Sequence, residues 1–211
     1  MTRFSGYTSY LIFLRFLGAL IIVFNGIHLT FAQEWVLEKD QNDIQIFTKK
    51  VENSDFKAYR AVMTVSTTIE KLDKIMRNQA ALKTWFDRCT ESKRLKKVSD
   101  NEFYLYFVND APWPIQDRDN ITQAVFETKS DGSSWIYLKC IPDYLPPKKN
   151  KVRIPEMTAH WEFHPVADGQ IKIVQQAHFD LGGTIPAWLA NIAVVDSPFN
   201  TMANLKNLLK K

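Results

Sequence analysis

The sequence predicts an α+β domain in which a curved antiparallel sheet of about nine strands wraps around one long C-terminal helix. One observation is an apolar stripe of helical period in roughly the last thirty residues, directly after two adjacent glycines. Another is the series of alternating apolar and polar segments that fills most of the preceding chain. The third is size, because 211 residues with 45% hydrophobic content suit one domain with a substantial core. The apolar stripe of the helix must pack against another apolar surface, and the strands are expected to form that surface.

The first 32 residues have the pattern of a targeting segment. Arg3 and Arg15 precede an uninterrupted apolar run at 16–24, and Ala32 ends a small-x-small site. We predict a signal peptide at 1–32 and an exported domain at 33–211, in the periplasm or secreted. The alternative is an uncleaved N-terminal anchor that leaves the domain on the extracytoplasmic side, since residues 10–32 nearly match ~30 Å of hydrocarbon. Arg15 argues against this alternative.

The segments after the leader predict three strands followed by two short helices. Strands are expected at 35–39, 44–50 and 57–65, with a turn at Asn42 and Asp43. Thr68 then precedes a segment of helical spacing, and a second short helix is expected at 79–86.

From residue 92 the chain returns to strands separated by turn signals and by a Pro-rich stretch at 142–155. We expect these strands near Arg94 and at 103–108, 119–128, 135–141, 158–164 and 171–179.

The C-terminal helix has a well-marked start. Gly182 and Gly183 permit a tight turn, Thr184 is a candidate N-cap, and Pro186 falls in the expected first turn. Pro198 predicts either a kink or a second segment that begins there. The expected buried stripe comprises Ile185, Trp188, Leu189, Ile192, Val195, Phe199, Met202, Leu205 and Leu209.

Charge and motif content exclude several classes of function. The formal charge of +4 falls by two when Arg3 and Arg15 leave with the leader, so nucleic acid is not an expected partner. Basic runs at 93–97 and 148–153 are interpreted as solvated segments, with transient contact to anionic lipid headgroups as the alternative. The sequence contains no CxxC, HExxH, P-loop, GxGxxG or GxSxG pattern, and we expect neither cofactor nor metal.

Five residues test the possibility of a disulfide or a metal site. Cys89 and Cys140 fall in strand segments that we do not expect to be neighbours, so pairing is not predicted. His160 and His164 share a strand face, with Glu162 between them, and this set has the composition of a two-His, one-carboxylate metal site. Because the opposite face is apolar, we expect them on the solvated side.

Three stretches resemble the START family, the steroidogenic-acute-regulatory-protein-related lipid-transfer domains, over residues 34–210. They are AVMTVSTTIEKLDKIMRN with KTWFDR, YLYFVNDAPWPIQDRDNI, and DLGGTIPAWLANI. The last two are similar to the P-W-P-x-x-x-R-D and D-P-G-G-x-I-P-x-W-L patterns of phosphatidylcholine-transfer-like members and bacterial relatives, with Leu181 in place of proline. The resemblance implies a helix-grip fold, an internal cavity for one lipid or sterol, and no covalent chemistry.

The same resemblance places candidate ligand-binding residues around the cavity mouth. Residues 109–117 correspond to the loop that caps it, and Arg118 and Asp119 to the pair that begins the next strand. Arg118 is expected to pair with Asp119, another acid or the polar head of the ligand, because an unpaired buried charge is costly. Trp113, between two prolines, is expected to seal the mouth or enter a bilayer interface, or else to pack under the loop.

Four further residues complete the candidate ligand-binding set: Tyr106, Tyr137, His178 and Trp188. Tyr137 shares a face with Trp135, and that face is a wall of the cavity or of the ordinary core. His178 is either a cavity residue that hydrogen-bonds the ligand or a satisfied core or rim histidine.

The predicted function is therefore the binding of one lipid or sterol-like ligand, with possible transfer or sensing in the cell envelope. We expect a monomer that contacts membrane surfaces transiently and is not an enzyme. Two alternatives stay open. One is a cyclase or hydrolase-like enzyme that uses the same cavity, and the other is an envelope interaction module, a helix-grip domain that binds protein and has no open cavity for a ligand.

Overall fold

The computed structural model describes residues 34–210, without the side chains of residues 187–189 and 192. The signal peptide or anchor expected at 1–32 lies outside the described residues, as does the side chain of Trp188. The strands are β1 (Val36–Gln41), β2 (Ile44–Lys49), β3 (Ala58–Ser66), β4 (Cys89–Lys97), β5 (Glu102–Asn109), β6 (Arg118–Thr128), β7 (Ser134–Cys140), β8 (Val152–Arg153), β9 (Glu156–Pro165) and β10 (Gln170–Asp180). The helices are α1 (Ile69–Arg77), α2 (Ala187–Leu209) and short 3-10 turns at Gln79–Thr84, Pro142–Tyr144 and Ala167–Gly169.

One sheet contains all of these strands, in the order β1-β2-β3-β10-β9-β7-β6-β5-β4. Neighbours along this path are antiparallel, whereas β8 pairs with β6 in parallel. The α+β helix-grip prediction is confirmed, with ten strands instead of nine because the Pro-rich stretch contributes β8. The sheet edges are β1 and β4, and β4 has register shifts between Cys89 and Glu91 and between Arg94 and Lys96.

The core forms where one sheet face meets α2. Alternate residues of β2 and β3 point the same way, and Ile44 and Met63 are buried there. Met202 and Leu205 of α2, three residues apart on one helix face, pack into the same cluster. Period 2 in the strands and period 3.6 in the helix thus meet as the sequence predicts.

The start of α2 differs from the prediction. Thr184 does not cap the helix, which begins at Ala187 with Pro186 in the N-cap position and no side-chain cap. Gly182 and Gly183 both have positive φ, and a Cβ on Gly182 would lie 3.0 Å from the Arg153 carbonyl oxygen. Ile185 precedes a proline and is therefore disfavoured in the helical region. The turn consequently extends further than Thr184.

The C-terminal helix continues past Pro198, so no second segment begins there. None of the helices within residues 34–210 combines the length and the apolar character needed to cross a bilayer.

Candidate functional site

A cavity of about 420 Å³ lies between the concave face of the sheet and α2. This volume falls within the ~300–1,000 Å³ range of pockets that enclose small ligands. Its walls are mostly apolar and come from β5, β7, β9, β10 and α2. Representative wall residues are Phe107, Leu138, Trp161, Phe179 and Val194. Such walls favour an apolar ligand body.

Arg118 brings a positive charge into this apolar wall. It is the first residue of β6, only 5% exposed, and it lines the cavity. Its guanidinium donates to the backbone carbonyl oxygens of Gln116 and, at 3.4 Å, of Gly182. Within residues 34–210, no carboxylate lies within 4.0 Å of it and its Nε has no hydrogen-bond partner. Arg118 is therefore a buried cation that no carboxylate of a described residue contacts directly.

The expected pairing of Arg118 with Asp119 is wrong, because neighbouring residues of a strand point to opposite faces. Asp119 is fully buried on the outer face, where Arg153 of β8 holds it in a bidentate ion pair. The Nε···Oδ1 and Nη2···Oδ2 distances are 2.8 and 2.9 Å. Arg153 also donates to the carbonyl oxygens of Pro142 and Leu145, so this pair fastens the Pro-rich stretch to β6.

Electrostatics around Arg118 favour an anion. Burial lowers the pKa of the Arg118 guanidinium, and the negative charge of Asp117 opposes this shift. An arginine nevertheless stays protonated in proteins, so the cation persists. Asp117 itself is engaged by Lys151 at 3.4 Å and by the Ala111 amide. The other arginine in the described wall, Arg88, is half-exposed and pairs with Asp110 at 3.6 Å.

The loop between β5 and β6, which is expected to cap the cavity mouth, presents its aromatic residue to solvent. Pro112 and Ile115 line the cavity, whereas Trp113 between them is 93% exposed. The alternative that Trp113 packs under the loop is therefore wrong. An exposed indole beside a cavity mouth is suited to a membrane interface.

Three candidate residues lie on the outer side of the sheet and do not line the cavity. Tyr106 is buried in a separate cluster with Val108 and Ile121. Tyr137 is 38% exposed and stacks on Trp135. His178 Nε2 lies 3.0 Å from the Ser54 hydroxyl.

These three placements correct the sequence prediction for a common reason. The inward residues of their strands are those of opposite parity, namely Leu105 and Phe107, Ile136 and Leu138, and Ala177 and Phe179. Both faces carry aromatic residues, so alternation alone does not identify the inner one.

Sequence reasoning missed several polar residues of the cavity wall, and two of them have a buried atom without a partner among the described residues. Trp85 and Gln175 are each 3% exposed and line the cavity. Neither Trp85 Nε1 nor Gln175 Oε1 has a hydrogen-bond partner among the described residues. For Gln175 a signal was present, because a glutamine shares its strand face with Ile173 and Ala177. For Trp85 the sequence contained no such signal beyond its position in the segment KTWFDR.

A second depression, of about 370 Å³, lies on the outer face of the sheet. Polar side chains of Gln123, Lys139 and His160 border it. The two histidines that flank Glu162 lie on this face, as alternation predicts, with Nε2 atoms 2.9 and 2.7 Å from its two carboxylate oxygens. Within the described range, no cluster of three metal-ligating side chains has suitable geometry for an ion. The cavity between the sheet and α2, with its mostly apolar wall, is thus the better candidate site.

Cys89 offers a chemical probe of the cavity. It lines the cavity, while Cys140 is buried outside it, and in residues 34–210 neither forms a disulfide. Burial raises the pKa of the Cys89 thiol to about 11. Because only the thiolate reacts, iodoacetamide should label Cys89 roughly a hundredfold more slowly at pH 8 than an ordinary thiol, with the rate rising about tenfold per pH unit toward pH 11.

Mass mapping of the alkylated peptides measures this rate, with Cys140 as the internal control. A molecule bound in the cavity should slow labelling of Cys89 and leave Cys140 unaffected. Rapid labelling of Cys89 at pH 8 would contradict its burial in the cavity wall.

Comparisons with known proteins point to one family. The START domain family model matches residues 28–208. An uncharacterized protein of Pseudomonas aeruginosa is 31% identical over 180 residues, which cover 85% of this chain and 89% of that protein. The crystal structure of a STAR-related lipid transfer protein fragment from Xanthomonas axonopodis superposes with a TM-score of 0.79 at 35% identity. That match covers 84% of this chain and 99% of the other.

More distant structures share the architecture. Human StAR-related lipid transfer protein 5 has a TM-score of 0.76 at 18% identity, over 83% of this chain and 86% of that one. The Zhui aromatase/cyclase of a Streptomyces species has a TM-score of 0.50 at 8% identity, over 72% of this chain and 90% of that one. At these identities the likeness concerns the fold alone.

Proposed function

This chain belongs to the START domain family, a family of lipid-binding domains, and we propose that its cavity holds one amphipathic lipid or sterol-like molecule with an anionic head. The observation that carries the proposal is Arg118, a buried cation without a carboxylate partner in the described wall. The apolar body of the ligand would occupy the space between the sheet and α2.

The two parts of the ligand would contribute differently to binding. Burial of the apolar body stabilises the complex by roughly 25 cal/mol per Å² removed from water. The head adds hydrogen bonds assisted by charge, for which the planar guanidinium suits a carboxylate or phosphate because it can bond both oxygens. The Nε of Arg118, which has no hydrogen-bond partner within residues 34–210, is a donor available for this contact. The proposed binding is non-covalent.

We further propose that the ligand is exchanged at a membrane surface, as part of lipid transfer or sensing in the cell envelope. The exposed Trp113 sits on the loop whose neighbours Pro112 and Ile115 line the cavity. Insertion of the indole into the interface would therefore act directly on the cavity mouth. The leader pattern at 1–32 supports export, with cleavage near Ala32.

Trp113→Ala should weaken binding to liposomes of phosphatidylethanolamine and phosphatidylglycerol about tenfold, because a side chain buried in the interface is lost. Co-sedimentation measures the bound fraction. Tyr137→Ala, which removes an exposed aromatic from the outer face, is the matched control and should bind as wild type. Equal binding by the Trp113 variant would eliminate insertion of this loop.

Native mass spectrometry of the protein purified from a bacterial host tests the proposed function. We expect one co-purifying lipid per chain, with a phosphate or carboxylate in its head. Lipid extraction followed by fragmentation identifies the head. The proposal would be refuted if the protein is purified without a bound lipid and still binds none after incubation with anionic lipid vesicles.

Recovery of the protein from cell fractions tests export. A periplasmic or secreted protein whose N-terminus lies near residue 33 is the expected result. A membrane-bound protein that retains Met1 would instead establish the anchor.

A further inference from the structure

Besides Arg118 Nε, two polar atoms in the cavity wall have no hydrogen-bond partner among the described residues, although their side chains are almost completely buried. Trp85 Nε1 is a hydrogen-bond donor and Gln175 Oε1 is an acceptor. Each residue is buried and lines the cavity. Leaving a buried donor or acceptor unpaired opposes folding, so such atoms in a binding cavity are expected to be matched by the occupant.

The two atoms belong to side chains grouped around the same residue. Gln175 lies directly opposite Trp161 in the register of β9 and β10. The Trp85 indole packs edge-on against the Trp161 ring, with centroids 6.1 Å apart. Because opposed residues of paired strands bring their side chains together on one face, donor and acceptor both belong to the part of the cavity around Trp161.

The register of the sheet places this part of the cavity away from the Arg118 end of β6. The sheet register continues from Gln175 and Trp161 through Ile136 to Phe126 on β6. Phe126 follows Arg118 by eight residues on the same strand, or roughly 26 Å at ~3.3 Å per residue. Both Phe126 and Arg118 line the cavity. A ligand whose head meets Arg118 would therefore reach the Trp85 and Gln175 pair with the far part of its body.

We propose that the ligand carries a hydroxyl group in this distal part, which accepts from Trp85 Nε1 and donates to Gln175 Oε1. A hydroxyl both donates and accepts, whereas a ketone would satisfy only the tryptophan and an unsubstituted hydrocarbon neither. The inference rests on the proposed function, since it takes Arg118 as the site of the anionic head. The chemical class is an elongated lipid acid or acidic sterol-like molecule with a hydroxyl far from its anionic group.

Binding of paired fatty acids by the full chain tests this proposal. The probes are laurate, palmitate and stearate and the ω-hydroxy derivative of each, titrated by isothermal calorimetry. At the chain length that reaches the pair, the hydroxylated acid should bind about tenfold more tightly than its parent, because two buried groups gain partners. If the parent acids bind and the hydroxylated acids bind no more tightly at any chain length, the proposal of a distal hydroxyl is overturned. The proposed function is then left intact.

Gln175→Leu and Gln176→Leu are a matched pair of variants. Gln175 faces the cavity, whereas the neighbouring Gln176 faces outward and accepts from Arg60. Gln175→Leu should abolish the preference for the hydroxylated acid and leave the affinity for the parent acid unchanged. Gln176→Leu should keep the preference. The melting temperature of ligand-free Gln175→Leu should not fall, because the change removes a buried oxygen that has no partner in the described part of the chain.

Trp85→Phe is a second variant that removes the donor and keeps an aromatic ring. It too should reduce the preference. A preference that survives both cavity variants would place the hydroxyl elsewhere and overturn the proposal. If neither series binds, this proposal is also overturned, and co-purification of lipid decides separately whether the cavity holds a different amphiphile.

Discussion

Arg153→Met should destabilise the protein by about 3–5 kcal/mol, because it leaves the fully buried Asp119 carboxylate without a counter-charge. The same change removes the donors that hold the carbonyl oxygens of Pro142 and Leu145. The Pro-rich stretch should consequently detach from β6. Urea unfolding followed by circular dichroism measures the loss in free energy of unfolding.

Two variants make this result specific to the buried pair. Lys97→Met breaks an ion pair with Asp100 in which both side chains are exposed, and no measurable change is expected. Asp119→Asn added to Arg153→Met should recover part of the lost stability, since the uncompensated charge disappears. A single Arg153 variant as stable as wild type would show that Asp119 finds other stabilisation.

Arg118→Leu should weaken binding of an anionic ligand by about 2–3 kcal/mol, or roughly 30- to 150-fold, because charge-assisted hydrogen bonds to the head are lost. The melting temperature should stay the same or rise, since Arg118 has no carboxylate partner in the described structure and its burial is costly. Calorimetric titration with the co-purifying lipid and a thermal melt measure the two quantities.

Arg60→Leu is the control for loss of an arginine outside the cavity. Its guanidinium lies over the Trp35 ring and bonds Gln176 on the outer face, so ligand affinity should be unchanged. Unaltered affinity in the Arg118 variant would eliminate its role in holding the head. A large fall in its melting temperature would instead assign Arg118 a structural role.

The fold could be predicted because its main signals are local and mutually consistent. The stripe through Phe199, Met202 and Leu205 requires a cover, and the alternating strands before it have the apolar faces to provide one. The exact start of α2 could not be predicted from Thr184, because the turn depends on how closely Gly182 approaches the Arg153 backbone. That contact joins residues far apart in the chain.

The candidate site was predicted less completely, since it depends on strand parity. Arg118 was identified, but the partner of Asp119 proved to be Arg153, 34 residues further along the chain. Strand β7 shows the same difficulty, because Trp135 and Tyr137 alternate with Ile136 and Leu138 and either face could have been the inner one. Period 2 separates two faces of a strand but does not say which one the sheet curls toward.

The position of β4 at one edge of the sheet explains the basic run at 93–97. An edge strand exposes unpaired backbone groups to which another chain can add, and lysine charges and bulges are the features that oppose such addition. Lys93, Arg94, Lys96 and Lys97 all lie on β4, and both of its register shifts interrupt a regular edge. Two copies that meet along this edge would bring like charges together. These residues are therefore expected to protect the protein from aggregation, a role that requires no lipid.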